Sequence, residues 1–172
     1  MIGLTGSFLG LLRCLLAVAV AVAVGAGCHS APISSPLQGP YIVVKRSGTS
    51  DPEIVTVLSK LPSADVMRKF PILLEVRWGY ASMRNGMPTE EELVRGRGIY
   101  AALDKIVGAT GINAMSRTGD GGRTIYYYVK DPKPLEDPIR QYFDSLPPIS
   151  VQVVARTEPD WSSVREVLDA MK

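Results

Sequence analysis

Cysteine and histidine are nearly absent from this chain of 172 residues. The two cysteines are Cys14 and Cys28 and the single histidine is His29, so the sequence after them contains neither residue type. This excludes a disulfide framework and a cysteine-ligated metal site from the body of the chain. It also removes the side chain that most often transfers protons near neutral pH. Several classes of enzyme are therefore disfavoured.

A large charge of one sign is also lacking, because 19 Lys and Arg against 17 Asp and Glu give a formal net charge of +2. Tight binding to a phosphate backbone uses concentrated basic charge, so a nucleic-acid partner is not expected. The "RGRG" at residues 95–98 lacks the preceding strand-to-helix turn and the glycine spacing of a nucleotide-binding loop. The sequence therefore predicts no cofactor.

One long apolar run stands near the N-terminus. Residues 15–24 are only Leu, Ala and Val, with Arg13 before them and small residues at 25–27. A short apolar core followed by small residues is typical of an export signal. A spanning helix of ~20 apolar residues would place Arg13 near its middle, which is unfavourable.

The stretch "HSAPISSPLQGP" after Cys28 is rich in Ser and Pro and typical of a flexible tether. The apolar run, "GAGC" and this tether together resemble a bacterial lipoprotein leader, which implies cleavage before Cys28 and acylation of that residue. We therefore expect a signal peptide over 1–27, a tether with a lipidated Cys28 over 28–40, and an exported protein anchored in the membrane of the bacterial cell envelope. Cleavage after Ala26, which would release a soluble secreted or periplasmic protein, and an uncleaved anchor are the alternatives.

The body, residues 41–172, is predicted to be a single α+β domain that begins with a hairpin. "YIVVKR" and "EIVTVL" are β-branched runs on either side of "SGTSDP", although the second run could instead begin a helix. "PILLEVRWGY" alternates in polarity and predicts a half-buried strand. Its inward residues are Ile72, Leu74, Val76 and Trp78, and its outward residues are Leu73, Glu75 and Arg77.

"MPTEEELVRGRGIYAALDKIVGATG" is the clearest helix pattern. Thr89 and Glu92 have the spacing of a capping box, the acids at 90–92 suit the positive end of a helix, and Gly111 is the expected stop. The acids at 90–92 are therefore assigned to the helix start rather than to a metal site. The predicted inward stripe is Leu93, Gly96, Tyr100, Leu103 and Val107.

The second half of the body repeats these patterns. "INAMSRT" and "RTIYYYVK" flank the turn-forming "GDGG" and predict a hairpin. A helix follows, with Pro138 in its first turn after Asp137, then the strand "ISVQVVAR" and a last helix capped by Asp160. The apolar stripes of the two helices are Leu135, Ile139, Tyr142, Phe143 and Leu146, and Val164, Val167, Leu168 and Met171.

From residue 71 the first six elements follow the order strand, helix, strand, strand, helix, strand. This is the order of the split βαβ, or ferredoxin-like, arrangement, an antiparallel sheet with helices on one face. The predicted fold class is therefore α+β, with an N-terminal hairpin and a C-terminal helix added to that arrangement.

Three short motifs resemble the bacterial domain-of-unknown-function 695 family. They are "NGMPTEEEL" at the start of the long helix, "RTIYYYVKDP" at the end of a strand, and "EPDW" before the final helix. Their order and spacing extend the resemblance over about residues 41–167. The resemblance implies an α+β fold and implies no catalytic residues.

Two groups of residues are candidates for contacts with a ligand or partner. Arg77, Arg84 and Asn85 belong to "RWGYASMRNGMP", which leads to a helix start whose free N–H groups could hold an anion. Tyr126 and Tyr128 share a sheet face that Arg77, Arg117, Arg156 and Met115 could join. The structural alternatives are a long connecting loop and a sheet face covered by the hairpin or the last helix, and we favour both. Trp78 and Trp161 are expected in the core.

The leading hypothesis is a non-catalytic binding or scaffolding domain, held at the membrane by its lipid and facing an envelope protein partner. No catalytic residue and no metal ligand is assigned. One alternative is an enzyme that uses carboxylate and arginine chemistry at Glu75, Arg77 and Arg84. Another is single-stranded nucleic-acid binding, which requires Tyr126 and Tyr128 to be exposed together.

Overall fold

The computed structural model describes residues 40–46 and 52–172, so the predicted signal peptide and Cys28 lie outside the described residues. The described chain forms a six-stranded antiparallel sheet and four α-helices. The strands are β1 (Tyr41–Arg46), β2 (Glu53–Leu58), β3 (Ile72–Gly79), β4 (Gly111–Gly119), β5 (Gly122–Val129) and β6 (Val151–Thr157). The helices are α1 (Ala64–Lys69), α2 (Glu90–Val107), α3 (Lys133–Asp144) and α4 (Ser162–Asp169).

The strand order is β1-β2-β4-β5-β3-β6, and each neighbouring pair is antiparallel. β3 and β4, which α2 joins, are separated in the sheet by β5. β5 and β6, which α3 joins, are separated by β3. This interleaving is that of a split βαβ arrangement, and the β1–β2 hairpin extends the sheet beside β4. The α+β class is therefore confirmed.

One face of the sheet packs against α2 and α3. The alternation in β3 is confirmed, since Leu74, Val76 and Trp78 are buried in this core. α2 contributes Ile99, Leu103 and Val107, and α3 contributes Leu135, Ile139 and Phe143. The apolar face of each helix is removed from water by the sheet, which accounts for most of the stability of such helices.

The two helices of the split βαβ arrangement, α2 and α3, lie on one face as predicted, and the opposite face carries a second core. α1, which was not predicted, and α4 both contribute residues to this core. Its buried members include Leu73, Met115, Tyr128, Trp161, Val164 and Val167. The physical reason is that the apolar stripe of α4 also needs a partner, and the aromatic face of β5 provides one. β3 is therefore buried on both faces near its start, where Leu74 lies in the first core and Leu73 in the second, rather than half-buried.

Helix α2 starts where the capping pattern indicates but ends earlier than expected. The Thr89 hydroxyl oxygen accepts a hydrogen bond from the Glu92 N–H at 3.4 Å. The helix stops at Val107 because Gly108, at φ +48°, leaves the helical conformation. Ile99 is fully buried, whereas the predicted stripe members Leu93 and Tyr100 are half-buried.

Gly111 is therefore not the helix stop but the tightly packed first residue of β4. A Cβ there would lie 2.6 Å from Val107 Cγ1 and 2.7 Å from Val129 Cγ1. We expect Gly111→Ala to lower the free energy of unfolding by about 1–3 kcal/mol through overpacking. Gly98→Ala is the matched control, because no atom lies within 4 Å of its Cβ position and alanine favours a helix, so it should raise stability by about 0.5–1 kcal/mol. Urea unfolding of both variants measures this, and equal effects would contradict the packing argument.

Two predicted helix starts are also corrected. α3 begins at Lys133, so Pro138 lies inside the helix rather than in its first turn. Asp160 does not cap α4, whose N-cap is Trp161 at φ +54°. The Glu158 carboxylate accepts the hydrogen bond from the Ser163 N–H at 2.7 Å instead. A carboxylate five residues before the N2 position can reach the free N–H groups because the intervening Trp161 turns the chain back.

Candidate functional site

The second face of the sheet contains an open cleft of about 270 Å³ near the β4–β5 turn. Its side-chain lining is Glu53, Arg77, Arg117, Asp120, Thr124 and Tyr126, and we call it the arginine cleft. The strand register explains why these residues meet. Arg77 on β3 lies opposite Thr124 on β5, which lies opposite Arg117 on β4. Residues in register project from the same face, so the two arginines stand on either side of Thr124.

Two glycines, Gly119 and Gly122, line the arginine cleft and belong to a row of three. Gly79, Gly122 and Gly119 are in register on β3, β5 and β4, next to the row that holds the arginines. A Cβ at Gly122 would lie 3.5 Å from Arg77 Nε and 3.7 Å from Arg77 Nη2. The Arg77 guanidinium therefore lies close to the backbone of Gly122. A side chain at position 122 would restrict the movement of that guanidinium.

The β4–β5 turn places Asp120 at the rim of the cleft. Asp120 and Gly121 have φ values of +48° and +63°, as the central residues of a type I′ hairpin turn do. The backbone of the 80–89 loop supports this turn, because the Gly121 N–H donates to Gly86 O at 2.9 Å and the Tyr80 N–H donates to Gly121 O at 3.0 Å. The predicted hairpin is confirmed, and its turn places the backbone of Asp120 at the rim of the cleft.

Arg117 is held in the cleft by two neighbours but is not fully paired. Its Nη1 lies 3.5 Å from Glu53 Oε1, and its guanidinium carbon lies 5.9 Å from the centre of the Tyr126 ring. Its Nε is buried and has no hydrogen-bond partner among the described residues. A buried donor without a partner costs about 1–3 kcal/mol, and such groups in native proteins call for an explanation.

The charges of the cleft are mixed. Arg77 is exposed and forms no ion pair with a carboxylate of the described residues. Glu53 and Asp120 supply two negative charges against the two arginines. Burial raises the pKa of Tyr126, and the opposing charge of Arg117 does not cancel that effect. The Tyr126 hydroxyl therefore stays protonated at neutral pH and is available as a donor.

The structure brings together only part of the predicted site. Arg77 and Tyr126 line the cleft, together with Arg117 from the same predicted face. Tyr128 is instead fully buried and stacks on Trp161, with ring centres 3.8 Å apart. Covering of this part of the face by the last helix, the favoured alternative, is thus confirmed. The condition for nucleic-acid stacking, exposure of Tyr126 and Tyr128 together, is not met.

Arg84 and Asn85 do not line the cleft. Both are exposed in the turn of the 80–89 loop, where Asn85 Oδ1 accepts a hydrogen bond from the Met87 N–H at 3.2 Å. The helix start beyond this loop carries three acids, at 90–92, which disfavour an anion there. These acids weigh against the candidate anion site at the helix start, and a long connecting loop stays the favoured interpretation.

Sequence reasoning missed Glu53 and Thr124. Thr124 lies between the two arginines only because of the β4–β5 register, and Glu53 reaches the cleft because β2 pairs with β4. The available signal was the equal spacing of Arg117 and Thr124 from the "GDGG" turn, which places them opposite each other in a tight hairpin. The pairing of β2 with β4 has no comparable local signal.

A second polar group, the Glu158 cluster, joins α4 to the sheet. The Tyr128 hydroxyl donates to Glu158 Oε1, and the Ser163 hydroxyl donates to Glu158 Oε2 at 3.1 Å. Arg156 Nε also donates to Glu158 Oε2, at 3.2 Å. Burial by itself raises the pKa of Glu158, but the hydrogen bonds from Tyr128 and Ser163 and the charge of Arg156 outweigh it and hold that pKa below its ordinary value.

Glu75 belongs to the Glu158 cluster rather than to an active site. Its carboxylate forms an ion pair with Arg156 on β6, and among the described residues it pairs with neither Arg77 nor Arg84. The three residues of the hypothetical carboxylate and arginine enzyme are therefore not brought together. The cross-strand register, which places Glu75 beside β6, is the reason.

Within residues 40–46 and 52–172, no group of three or more His, Cys, Asp or Glu side chains could hold a metal ion. In the same ranges, no helix has the length and apolar character needed to cross a membrane. No protein-family model matches the chain, and comparisons with curated proteins and with solved structures likewise find no match.

Proposed function

We propose that the protein is a non-catalytic binding domain of the bacterial cell envelope, tethered to the membrane through Cys28, and that its arginine cleft binds the anionic group of a ligand. The observation that carries the proposal is the arrangement of Arg77 and Arg117 on either side of Thr124, with the Nε of Arg117 buried and without a hydrogen-bond partner in residues 40–46 and 52–172. Arginine offers five donors in a planar fork that matches a carboxylate or a phosphate.

The chemistry of the cleft favours binding over catalysis. Its hydroxyls belong to Thr124 and Tyr126, and the raised pKa of Tyr126 keeps that group a donor rather than a base. Two arginines, one threonine and one protonated tyrosine together give an anion several charge-assisted or neutral hydrogen bonds. None of these groups is a strong nucleophile with an adjacent base of the kind that covalent catalysis requires.

Neutralising either arginine is expected to weaken binding. Triglycine is a suitable first probe because its carboxylate can be blocked as triglycinamide. Hydrogen bonds to charged groups contribute about 1.5–3 kcal/mol, so Arg77→Gln and Arg117→Gln should each weaken triglycine binding by about tenfold or more. Isothermal titration calorimetry of the full chain in mild detergent measures this.

Arg97→Gln is the matched control, since Arg97 is exposed on α2 and does not line the cleft. It removes the same charge and should leave binding unchanged. Equal binding of triglycine and triglycinamide, or an equal loss in all three variants, would contradict a carboxylate held by the cleft.

The location of the protein is proposed from its leader. An apolar run, small residues, Cys28 and a Ser- and Pro-rich tether stand in the order of a lipoprotein leader. We also propose that residues 41–167 belong to the domain-of-unknown-function 695 family, on the basis of the three motifs that resemble it. A binding domain without a catalytic group is consistent with both proposals, and an envelope protein that presents a free peptide end is one partner that the cleft could accept.

The mass of the protein recovered from the membranes of its host tests the tether. We expect the mass of residues 28–172 plus acyl groups, and we expect a Cys28→Ser variant to lose those groups. A soluble, unmodified product that starts at residue 27 would instead show ordinary cleavage after Ala26 and contradict the lipid anchor.

A further inference from the structure

We infer that the ligand of the arginine cleft is a zwitterion, namely a short peptide with a free carboxylate and a free amine. The inference rests on the proposed function and names the class of ligand for the same site. The carboxylate would lie between Arg77 and Arg117, and the protonated amine would lie toward Glu53 and Asp120. This assignment follows from the charges, the spacing and the fixed geometry of the cleft.

The charges of the cleft are matched by a ligand that carries both signs. Two arginines face two carboxylates, and Glu53 already lies 3.5 Å from Arg117. A ligand that is only anionic would meet the arginines but would be repelled by Glu53. A ligand amine beside Glu53 would replace the positive charge that Arg117 shares with that carboxylate, so Arg117 could turn toward the ligand carboxylate without leaving Glu53 unpaired.

The two signs are separated across the strands. Arg77 stands on β3, whereas Glu53 stands on β2, beyond β5 and β4 in the sheet. The ligand carboxylate would lie over Thr124 on β5, two strands away from β2. Neighbouring strands are ~4.8 Å apart, so the backbones of β5 and β2 are about 10 Å apart. Three residues of extended chain span at most ~10 Å. A peptide of about three residues can therefore reach from the arginines to the carboxylates, and a volume of about 270 Å³ accommodates it.

The fold sets the backbone positions of both carboxylate residues before any ligand arrives. Asp120 is held by the type I′ turn and by the backbone hydrogen bonds of the 80–89 loop. Glu53 starts β2 and is about 31% exposed, so its charge is accessible from the cleft. Preorganised groups of this kind bind a ligand without a further ordering cost.

N-acetyl-triglycine provides the test, because it keeps the carboxylate of triglycine and removes its positive charge. Calorimetry with the full chain in mild detergent should show triglycine binding about tenfold more tightly than N-acetyl-triglycine. Glu53→Gln should reduce triglycine binding by about tenfold and should not reduce binding of N-acetyl-triglycine. Glu91→Gln, an exposed acid on α2, is the control and should change neither.

The two ligands separate the failure of this inference from the failure of the proposed function. If N-acetyl-triglycine binds as tightly as triglycine and both depend on Arg117, the cleft is a simple anion site and the zwitterion is wrong. If neither ligand binds, or if binding ignores the arginines, the proposed function itself is wrong. A misfolded Glu53→Gln variant would bind both ligands less well. A loss of triglycine binding without a loss of N-acetyl-triglycine binding therefore cannot come from misfolding.

Discussion

Replacing Trp161 with alanine is expected to lower the free energy of unfolding by about 3–5 kcal/mol, as for other large buried aromatic side chains. Trp161 is fully buried, stacks on Tyr128 with an angle of 8° between the rings, and donates from Nε1 to the carbonyl oxygen of Phe70 at 3.0 Å. The substitution therefore removes packing, a hydrogen bond and the main contact between the start of α4 and the sheet.

Urea unfolding followed by circular dichroism measures this loss. Trp161→Phe keeps most of the stacking but removes the hydrogen bond to Phe70, so it should cost clearly less than Trp161→Ala. Val94→Ala is the control for an apolar residue outside the core, because Val94 is 57% exposed on α2, and it should change stability by no more than about 0.5 kcal/mol. A Trp161→Ala variant as stable as the Val94→Ala variant would show that α4 is not docked as described.

Replacing Glu158 with alanine is expected to cost about 3 kcal/mol. The carboxylate satisfies the Tyr128 hydroxyl and the Ser163 N–H and is about 6% exposed. Its removal leaves these donors with reduced access to water, and an unsatisfied buried group costs about 1–3 kcal/mol. Glu166→Ala is the comparison, because Glu166 is exposed on α4 and its carboxylate has none of these partners.

The same residue predicts a dependence of stability on pH. The pKa of Glu158 is lower in the folded protein than its ordinary value, so the folded state binds the proton less well than the unfolded state. The stabilisation is present above the unfolded pKa of about 4.3 and is lost as pH falls through the lowered folded pKa. The free energy of unfolding should therefore fall between about pH 5 and pH 3 less steeply in Glu158→Gln than in the natural chain. Equal slopes would contradict this role of Glu158.

Local patterns were sufficient to predict every described strand and three of the four described α-helices. The bounds of β1 and β2 match the two β-branched runs, and the "GDGG" turn has the backbone that its sequence requires. The alternation of β3 assigned Trp78 to the core correctly. These features depend on neighbours in sequence, which is why periodicity and turn chemistry detect them.

Long-range packing explains what the sequence did not predict. α1 has six residues, which are too few for a helical period to be visible. The sequence left open whether the hairpin or the last helix covers the tyrosine face, and the stack of Trp161 on Tyr128 decides for α4. Asp160 matches the composition of an N-cap, but Glu158 does the capping because Trp161 adopts a left-handed conformation. The arginine cleft depends on the register of four strands. The turn spacing indicates only the β4–β5 register, and the pairings of β2 with β4 and of β3 with β5 have no comparable local signal.

Side-chain NMR of Arg77 and Arg117 shows whether these two arginines hold the carboxylate of a ligand. The Nε–H signals of both arginines can be followed in the full chain, labelled with nitrogen-15, while triglycine is added. We expect both Nε–H signals to shift along saturating curves with one dissociation constant, and we expect triglycinamide to shift neither signal. Unmoved Arg77 and Arg117 signals, while triglycine binds elsewhere or not at all, would contradict this expectation.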